Sequence, residues 1–406
     1  MGWNEDGPTL QPHFCPYRSG ELPGGNLRVC YFGTYRAEYS RNRIMIEGLR
    51  RNGVEVIECH EPLWHDIKDR VQAASGGWMC PSFWLRVIRV YFRLLRKYRD
   101  VGDYDVMVLG YPGQLDVPLA RVLTWLRGKP LVLDVFMSIF LIAQERGLTQ
   151  RSPFTARLIY LIEKIACLLP DLLILDTKEY VAWFQKVYKI KPSRFRLVPT
   201  GADDRIFRPI PSDRNDGLFR VLYYGSFIPN HGVEYIIEAA RLLRDEPNIQ
   251  FELIGDGPEK PAAVALVRQY NLTNVTFEGW MDQEELVRRA ANADVILGAF
   301  GTTPQSMMTV QNKIYEGLAM RKPVITGDGP AVREQMVHGE HLYLSNRADP
   351  VSLAIAIQIL YANADLRESI ARKGHAYFYS QFTPQRLGVL FKKHLCALLK
   401  ACERYV

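Results

Sequence analysis

The chain predicts an α/β protein built from two doubly wound domains. Strand–helix alternation is sustained over most of the 406 residues. The strand-like runs are apolar throughout rather than alternating, the mark of parallel sheets covered on both faces. The alternation also halts once, in a stretch rich in Pro, Asp and Gly, and then starts again. At roughly 100–200 residues per domain, the length agrees with two.

The first run, LRVCYFG (Leu27–Gly33), is rich in β-formers and closed by Gly. A helix over Arg41–Gly53 follows and stops at its glycine. VEVIECH is a strand, 82–99 a helix, and Asp103–Gly110 a strand. VPLARVLTWLRG (helix) and Lys129–Phe136 (strand) come next, then FTARLIYLIEKIACLL (helix) and Pro170–Thr177 (strand). KEYVAWFQKVY (helix) and Phe195–Gly201 (strand) end the first series. Ala202–Gly217 reads as the linker.

The second series opens with the strand Phe219–Ser226 and the helix VEYIIEAARLLRD. IQFELIGDGP and VTFEGW are strands around the helix VALVRQYN. DQEELVRRAANA and KIYEGLAMR are helices, each leading into or out of the strands DVILGAF and KPVITGDG. PVSLAIAIQILYAN, LRESIARKGHAYF and a last segment from about Pro384 to Cys402 are helical. The expected organisation is therefore an arm (1–26), an N-terminal domain (27–201), a linker (202–217) and a C-terminal domain (218–383). The terminal helix (384–406) is expected to pack back on the N-terminal domain. Ligands of such sheets bind at the carboxyl ends of the strands, and two facing sheets would enclose a cleft.

Composition narrows the classes. At 48% hydrophobic and 23% charged, the chain is not disordered. No run reaches the ~18 apolar residues of a membrane span. The polar, Gly- and Pro-rich start has no basic segment followed by an apolar core, so it reads as a loose arm and not a signal peptide. Seven scattered cysteines with no CxxC pair argue against zinc or a disulfide framework and fit a reducing cytoplasm. The net charge of +7 is nearly matched by one segment, where Arg86, Arg89, Arg93, Arg96, Lys97 and Arg99 occur with no acid.

The strongest chemical signal is VQNKIYEGLAMRKPVITGDGPAVRE (Val310–Glu334). Asn312 can cap a helix starting near Lys313. Lys313 and Glu316, three apart, share a face in its first turn, where backbone N–H groups and the dipole favour an anion. A carboxylate is repelled by a phosphate, so Glu316 suits ribose hydroxyls instead. The plainer alternative is a solvated lysine and a glutamate that complements the dipole.

This region resembles the donor-binding helix of family-4 glycosyltransferases, a family with the two-domain GT-B fold. The family carries a Glu, seven residues, a second Glu and then Gly-Lys-Pro-Val. The second Glu falls on Glu316 and the Lys-Pro-Val on Lys322–Val324, while Met308 stands at the first. QNKIYE (Gln311–Glu316) is similar to a branch reading Pro-Asn-Lys, two residues, Glu. LYYGSFIPNHGVEYIIEAARLL (Leu222–Leu243) matches a Gly-Arg…Lys-Gly segment whose two cations hold the donor diphosphate. Ser226 and His231 stand at those positions after Gly225, so Lys313, backbone N–H groups or a protonated His231 would have to supply the charge. LIGDGPE, with Gly255, and FEGWMDQEEL also match, and Trp280 and Met281 take the place of the family's base-contacting segment. Core packing is the alternative for Trp280.

In the first half, FGTYRAEYSRNR places Gly33 where backbone and ligand can approach closely, with Arg36, Arg41 and Arg43 as candidates for phosphate or acceptor carboxylates. A helix-entry loop with solvated arginines is the alternative. Where the family has a sugar-proximal His, VLDVFMS offers Asp134, read as a sugar-hydroxyl contact or a turn cap.

The resemblance implies a retaining transfer of a sugar from a nucleoside diphosphate, UDP- or GDP-linked, to an acceptor hydroxyl. Asp134, Lys313 and Glu316 carry the site, without a metal or other cofactor. The acceptor would be a glycan, a lipid-linked glycan or a small molecule, in cell-envelope or polysaccharide synthesis. The basic helix, with Arg86, Arg89 and Arg93, can lie on an anionic membrane, which would place the protein in the cytoplasm or on the inner face of the membrane; a merely solvated face is the alternative. A noncatalytic sugar-nucleotide-binding subunit remains open, as do a sugar phosphorylase and a nucleotide-sugar epimerase. Nucleic acid is disfavoured because the basic patch is one helix, and a dehydrogenase because GxGxxG is missing after both first strands.

Overall fold

The computed structural model describes residues 27–63, 81–212 and 214–403, so the arm expected over 1–26 lies outside the described residues. The chain divides into two compact units. One holds Met1–Pro199 with Pro384–Val406, the other Thr200–Thr383.

The N-terminal unit is built on β1 (Arg28–Gly33), β2 (Glu55–His60), β3 (Val106–Leu109), β4 (Leu131–Asp134), β5 (Leu172–Leu175) and β6 (Phe195–Leu197). They form one sheet in the order β2-β1-β3-β4-β5-β6, every pair parallel. Strands β3, β4 and β5 are buried at every position, β3 and β5 as unbroken apolar runs and β4 with Asp134 at its end. The helix Ser40–Arg51 connects β1 to β2. Its Ile44 and Leu49 share a core with Leu387, Phe391 and Leu395 of the terminal helix Pro384–Glu403. Each such side chain removed from water is worth about 1.5–3 kcal/mol.

The C-terminal unit repeats the plan with β7 (Phe219–Tyr224), β8 (Ile249–Ile254), β9 (Val275–Glu278), β10 (Val295–Leu297), β11 (Val324–Gly327) and β12 (Tyr343–Ser345). The order is β12-β11-β10-β7-β8-β9, again all parallel. Phe207, from the segment read as a linker, is buried in this unit's core with Tyr224 and Ile314.

Some elements are absent from the sequence reading. The helices Ile139–Glu145, Leu148–Arg151, Pro304–Met308 and Pro330–Gln335 are too short to show a period, and β12, Tyr-Leu-Ser, lacks an apolar run. Pro304 and Pro330 each open a helix, where a missing N–H costs nothing.

Each sheet reverses direction beside its first strand. In one unit β1 lies between β2 and β3, in the other β7 lies between β8 and β10. The carboxyl ends at these reversals are where doubly wound sheets bind ligands.

Candidate functional site

In the C-terminal unit the reversal is framed by glycine. Gly225 follows β7 at φ +142°, and a Cβ there would lie 2.9 Å from Lys313 Nζ. Gly255, at φ +133° after β8, stands so close that a Cβ would collide with the Gly225 carbonyl. A side chain at Gly225 would crowd Lys313 of the helix Asn312–Ala319, and one at Gly255 would push on the Gly225 backbone.

That helix begins at Asn312, with Gln311 at the N-cap position and no side-chain cap hydrogen bond. Asn312 is therefore its first helical residue, not its cap, which corrects the expectation from sequence. Lys313 lies in the first turn and is buried. Its ammonium sits 4.0 Å from the centre of the Tyr223 ring and has no hydrogen-bond partner. Burial lowers its pKa to about 7, against a smaller opposing pull from Glu316. Glu316, one turn on, is half-buried, and its Oε2 accepts a 2.8 Å hydrogen bond from the Tyr224 hydroxyl.

His231 lies beside Gly225, and without a ligand its surroundings disfavour a cation there. Burial, and then the neighbouring Lys313, push its pKa well below the usual value, so the ring is neutral. Its Nδ1 lies 2.7 Å from the Ser226 carbonyl, which requires the proton there, and 2.8 Å from the Tyr223 hydroxyl. Nε2 then carries a lone pair and repels a phosphate oxygen. Ser226 contributes its carbonyl to this knot and also accepts from Tyr223 at 2.8 Å. Among the described residues, the cation beside Gly225 with no hydrogen-bond partner is Lys313.

Three residues of this unit escaped the sequence reading. Tyr224 orients Glu316. Arg347 donates to the carbonyls of Asp328 (2.6 Å), Ala299 (3.2 Å) and Gly301 (3.0 Å), tying the loops after β10 and β11, while one amino group has no partner. Its pKa is lowered to about 10 by burial. Gln311 is buried with both amide atoms unmet. Its identity gave a signal, since it stands where the resembling branch has Pro. On the loop after β9, Trp280 is 62% exposed, so the core-packing alternative does not hold, and Met281 is half-buried.

In the N-terminal unit, Gly33 closes β1 at φ +124°, and a Cβ would meet Asp116 Oδ2 at 2.5 Å. Asp116 is buried and accepts from the Thr34 amide (2.7 Å), the Thr34 hydroxyl and Tyr91 (2.7 Å). Burial outweighs these hydrogen bonds and raises its pKa to about 6. Gln114, at the end of β3 beside this loop, is buried with neither amide atom partnered. Asn42 was also missed. It accepts from the Tyr111 amide and donates to the Arg36 and Tyr111 carbonyls, joining the loops after β1 and β3.

Two candidates here are corrected. Arg41 and Asp134 are both fully buried and bind each other through two hydrogen bonds of 2.9 and 3.0 Å. Arg41 also donates to the Val198 and Pro199 carbonyls at 2.8 Å. Neither is open to a phosphate or a sugar; they are an internal brace. Arg36 and Arg43 are half-buried beside it. Arg89 and Arg93 lie exposed on the helix Pro81–Arg99, with Arg86 half-buried. Among the described residues, no three His, Cys, Asp or Glu side chains converge as metal ligands, and no helix is long and apolar enough to cross a membrane.

Comparison with known proteins places the C-terminal unit. Residues 219–363 match the family model "Glycosyl transferases group 1". Over 153 residues the chain is 30% identical to the alpha-D-kanosaminyltransferase of Streptomyces kanamyceticus, covering 37% of this chain and 38% of that protein. Over 168 residues it is 26% identical to the lipopolysaccharide core biosynthesis glycosyltransferase LpsE of Rhizobium meliloti, covering 41% and 46%. The chain thus spans less than half the length of these two relatives. Among solved structures, sucrose-phosphate synthase from Thermosynechococcus elongatus superposes with a TM-score of 0.68 at 17% identity, covering 93% of this chain and 100% of that one. Anabaena HepE in complex with UDP-glucose gives 0.64 at 15% identity, covering 91% and 99%. The match to the group 1 glycosyltransferase family lies within the C-terminal unit, in a chain that has the GT-B fold of two Rossmann-like units.

Proposed function

We propose that the protein is a retaining glycosyltransferase that moves a sugar from a nucleoside diphosphate sugar to an acceptor hydroxyl. The observation that carries this is the buried, unpartnered Lys313 ammonium at the sheet reversal, one helical turn from the Glu316 carboxylate held by Tyr224. Lys313 meets the diphosphate together with the N–H groups of its helix, and Glu316 accepts the ribose hydroxyls. Trp280 and Met281 lie toward the base. As the bond from the anomeric carbon to the phosphate oxygen breaks, charge grows on the leaving group, and Lys313 with the helix N-terminus offsets it without a metal. The acceptor oxygen bonds to the same face of that carbon, and its proton passes to the leaving phosphate oxygen. In the N-terminal unit, Gly33 is a donor-binding candidate, and Arg36 and Arg43 are the acceptor or phosphate candidates.

UDP is the favoured carrier, since HepE was solved with UDP-glucose. A glycan or lipid-linked acceptor at the inner membrane face fits the relatives that act in lipopolysaccharide core synthesis and the cationic helix of the N-terminal unit. Calorimetry with UDP, GDP, TDP and their sugars tests the reading. Glu316→Ala should weaken the best donor at least tenfold with the fold intact, and an unchanged affinity removes the ribose assignment. The missing first Glu and the neutral His231 favour one alternative, a noncatalytic sugar-nucleotide-binding subunit. Slow donor hydrolysis by the purified protein would count against that alternative.

A further inference from the structure

The helix Pro81–Arg99 turns only Val90, Leu94 and Tyr98 into the core. The arginines do not form its outermost stripe. Trp84, Ile88 and Phe92, each four residues apart, stand 50, 63 and 68% exposed in a row that Leu95 extends. Arg89 flanks the row and Arg96, four residues beyond Phe92, ends it, while Arg93 is tied to Glu61 at 2.9 Å and Arg86 lies over the Phe83 ring.

Two later helices, Val117–Arg127 and Pro153–Leu168, lie on the same face of the sheet. The connections β2 to β3, β3 to β4 and β4 to β5 all run the same way across the sheet. Right-handed crossovers therefore set their helices on one face. Side chains join them. Tyr91 donates to Asp116, at the start of the helix Val117–Arg127, and the Arg127 guanidinium lies 4.5 Å from the centre of the Tyr98 ring. Arg121 pairs with Asp171, just beyond the helix Pro153–Leu168. Trp125 and Leu126 are exposed on the second helix, and Phe154, Leu161 and Ile165 on the third. Apolar patches beyond a few hundred Å² are unusual on a free surface and mark a contact.

Charge selects the occupant. Of the ten Lys and Arg residues in the three helices, Arg121 is buried against Asp171 and Arg93 and Lys97 both pair with Glu61, while Arg89, Arg96, Arg99 and Arg157 stand exposed; the one acid, Glu163, is buried under Ser138 and Tyr188. A second copy of the same face would bring cations against cations. An anionic bilayer offers both an apolar interior and a negative surface, worth about 1 kcal/mol per adjacent cation.

We propose that this three-helix face docks the protein on an anionic lipid bilayer, with Trp84, Ile88 and Phe92 entering the headgroup boundary. The proposal deepens the reading of a lipid-borne acceptor, on which its purpose rests. The face touches the chemistry directly, because Asp116 accepts from Tyr91 and also holds the Thr34 amide at the end of β1. Docking therefore brings the ligand end of the N-terminal sheet close to the lipid headgroups.

Co-sedimentation with vesicles of phosphatidylcholine containing 30% phosphatidylglycerol tests it, with phosphatidylcholine alone as control. Wild type should pellet with the anionic vesicles, and 0.5 M salt should weaken but not abolish this, because insertion is not screened. The triple variant W84S/I88N/F92S, changed only at exposed positions, should lose at least tenfold in partitioning with its melting temperature retained. Brominated lipid should quench wild-type fluorescence, and Trp84→Phe should remove part of that quenching while still binding. Wild type left in the supernatant, or a triple variant that pellets like wild type, overturns the proposal. So does a solution dimer that the triple variant dissociates. Nucleotide-sugar affinity measured without vesicles separates the two readings, since docking without donor binding would sink the transferase assignment and leave the docking intact.

Discussion

At the scale of single residues, Lys313 is the group on which the proposed chemistry turns. Its ammonium is buried against Tyr223 with no acceptor, and its pKa lies at about 7, below the ~10.4 of an unfolded chain. Between those two values the unfolded chain holds a proton that the folded one lacks, so this group's contribution to stability rises with pH and its cost is greatest below about 7. A bound diphosphate restores the higher pKa. Donor affinity should therefore be flat below pH 7 and fall above it, by up to tenfold per unit, with close to one proton taken up on binding at pH 8. Calorimetry in buffers of different ionisation enthalpy reads this, and a flat affinity from pH 6 to 8.5 would separate Lys313 from the phosphate. Lys313→Met should weaken the donor at least tenfold and yet raise the melting temperature of the ligand-free protein, most at pH 6, because a residue kept for binding at a cost in stability is being removed. His231→Ala, by contrast, should leave donor affinity within about threefold, since the ring is neutral and turns its only proton to Ser226.

At the scale of elements, local chemistry was legible and long-range pairing was not. The strands β1 to β11 announce themselves by apolar runs, and the helix Asn312–Ala319 by a lysine and a glutamate three apart. Those signals lie within a few residues of one another. Asp134 was misread for the opposite reason. It closes a strand, as a ligand-binding carboxylate would, and nothing near it in the chain reveals Arg41, 93 residues away. Tyr224 and Glu316, 92 apart, are the same case, as is Arg347 with Gly301. The short helices were lost because four to seven residues cannot display a helical period, and β12 because Tyr-Leu-Ser is not an apolar run. The brace makes its own prediction. Removing one partner of a buried ion pair leaves the other unsatisfied, at about 3–5 kcal/mol. Asp134→Asn should therefore lower the denaturation midpoint of the N-terminal unit strongly, while a nucleotide sugar still binds at wild-type affinity. If instead stability holds and acceptor kinetics alone change, Asp134 touches the sugar after all.

At the scale of the whole molecule, the chain leaves its N-terminal unit at Pro199 and returns to it at Pro384. What holds the returning helix is a glycine crossing. A Cβ on Gly388 would collide with the backbone of Gly48, and one on Gly48 would meet the Pro384 carbonyl at 2.5 Å. Around this contact Asn52 and Gln385 exchange hydrogen bonds of 2.9 and 2.8 Å, and Lys392 donates to the Asn52 carbonyl at 2.8 Å. Neither glycine has the positive φ that would explain it by backbone conformation, so close approach is the reason for both. Gly388→Ala must push two helices apart along a core that includes Ile44, Leu49, Phe391 and Leu395. Overpacking of this kind costs about 1–3 kcal/mol, more where backbone is the obstacle. The C-terminal unit has separate cores and shares none of these residues. Differential scanning calorimetry should then resolve two transitions in Gly388→Ala, the lower moved down by several degrees and the upper unmoved. A nucleotide sugar should raise the upper one alone, since its site lies between Thr200 and Thr383. A single transition that shifts as one with both the substitution and the ligand would mean that the units unfold together.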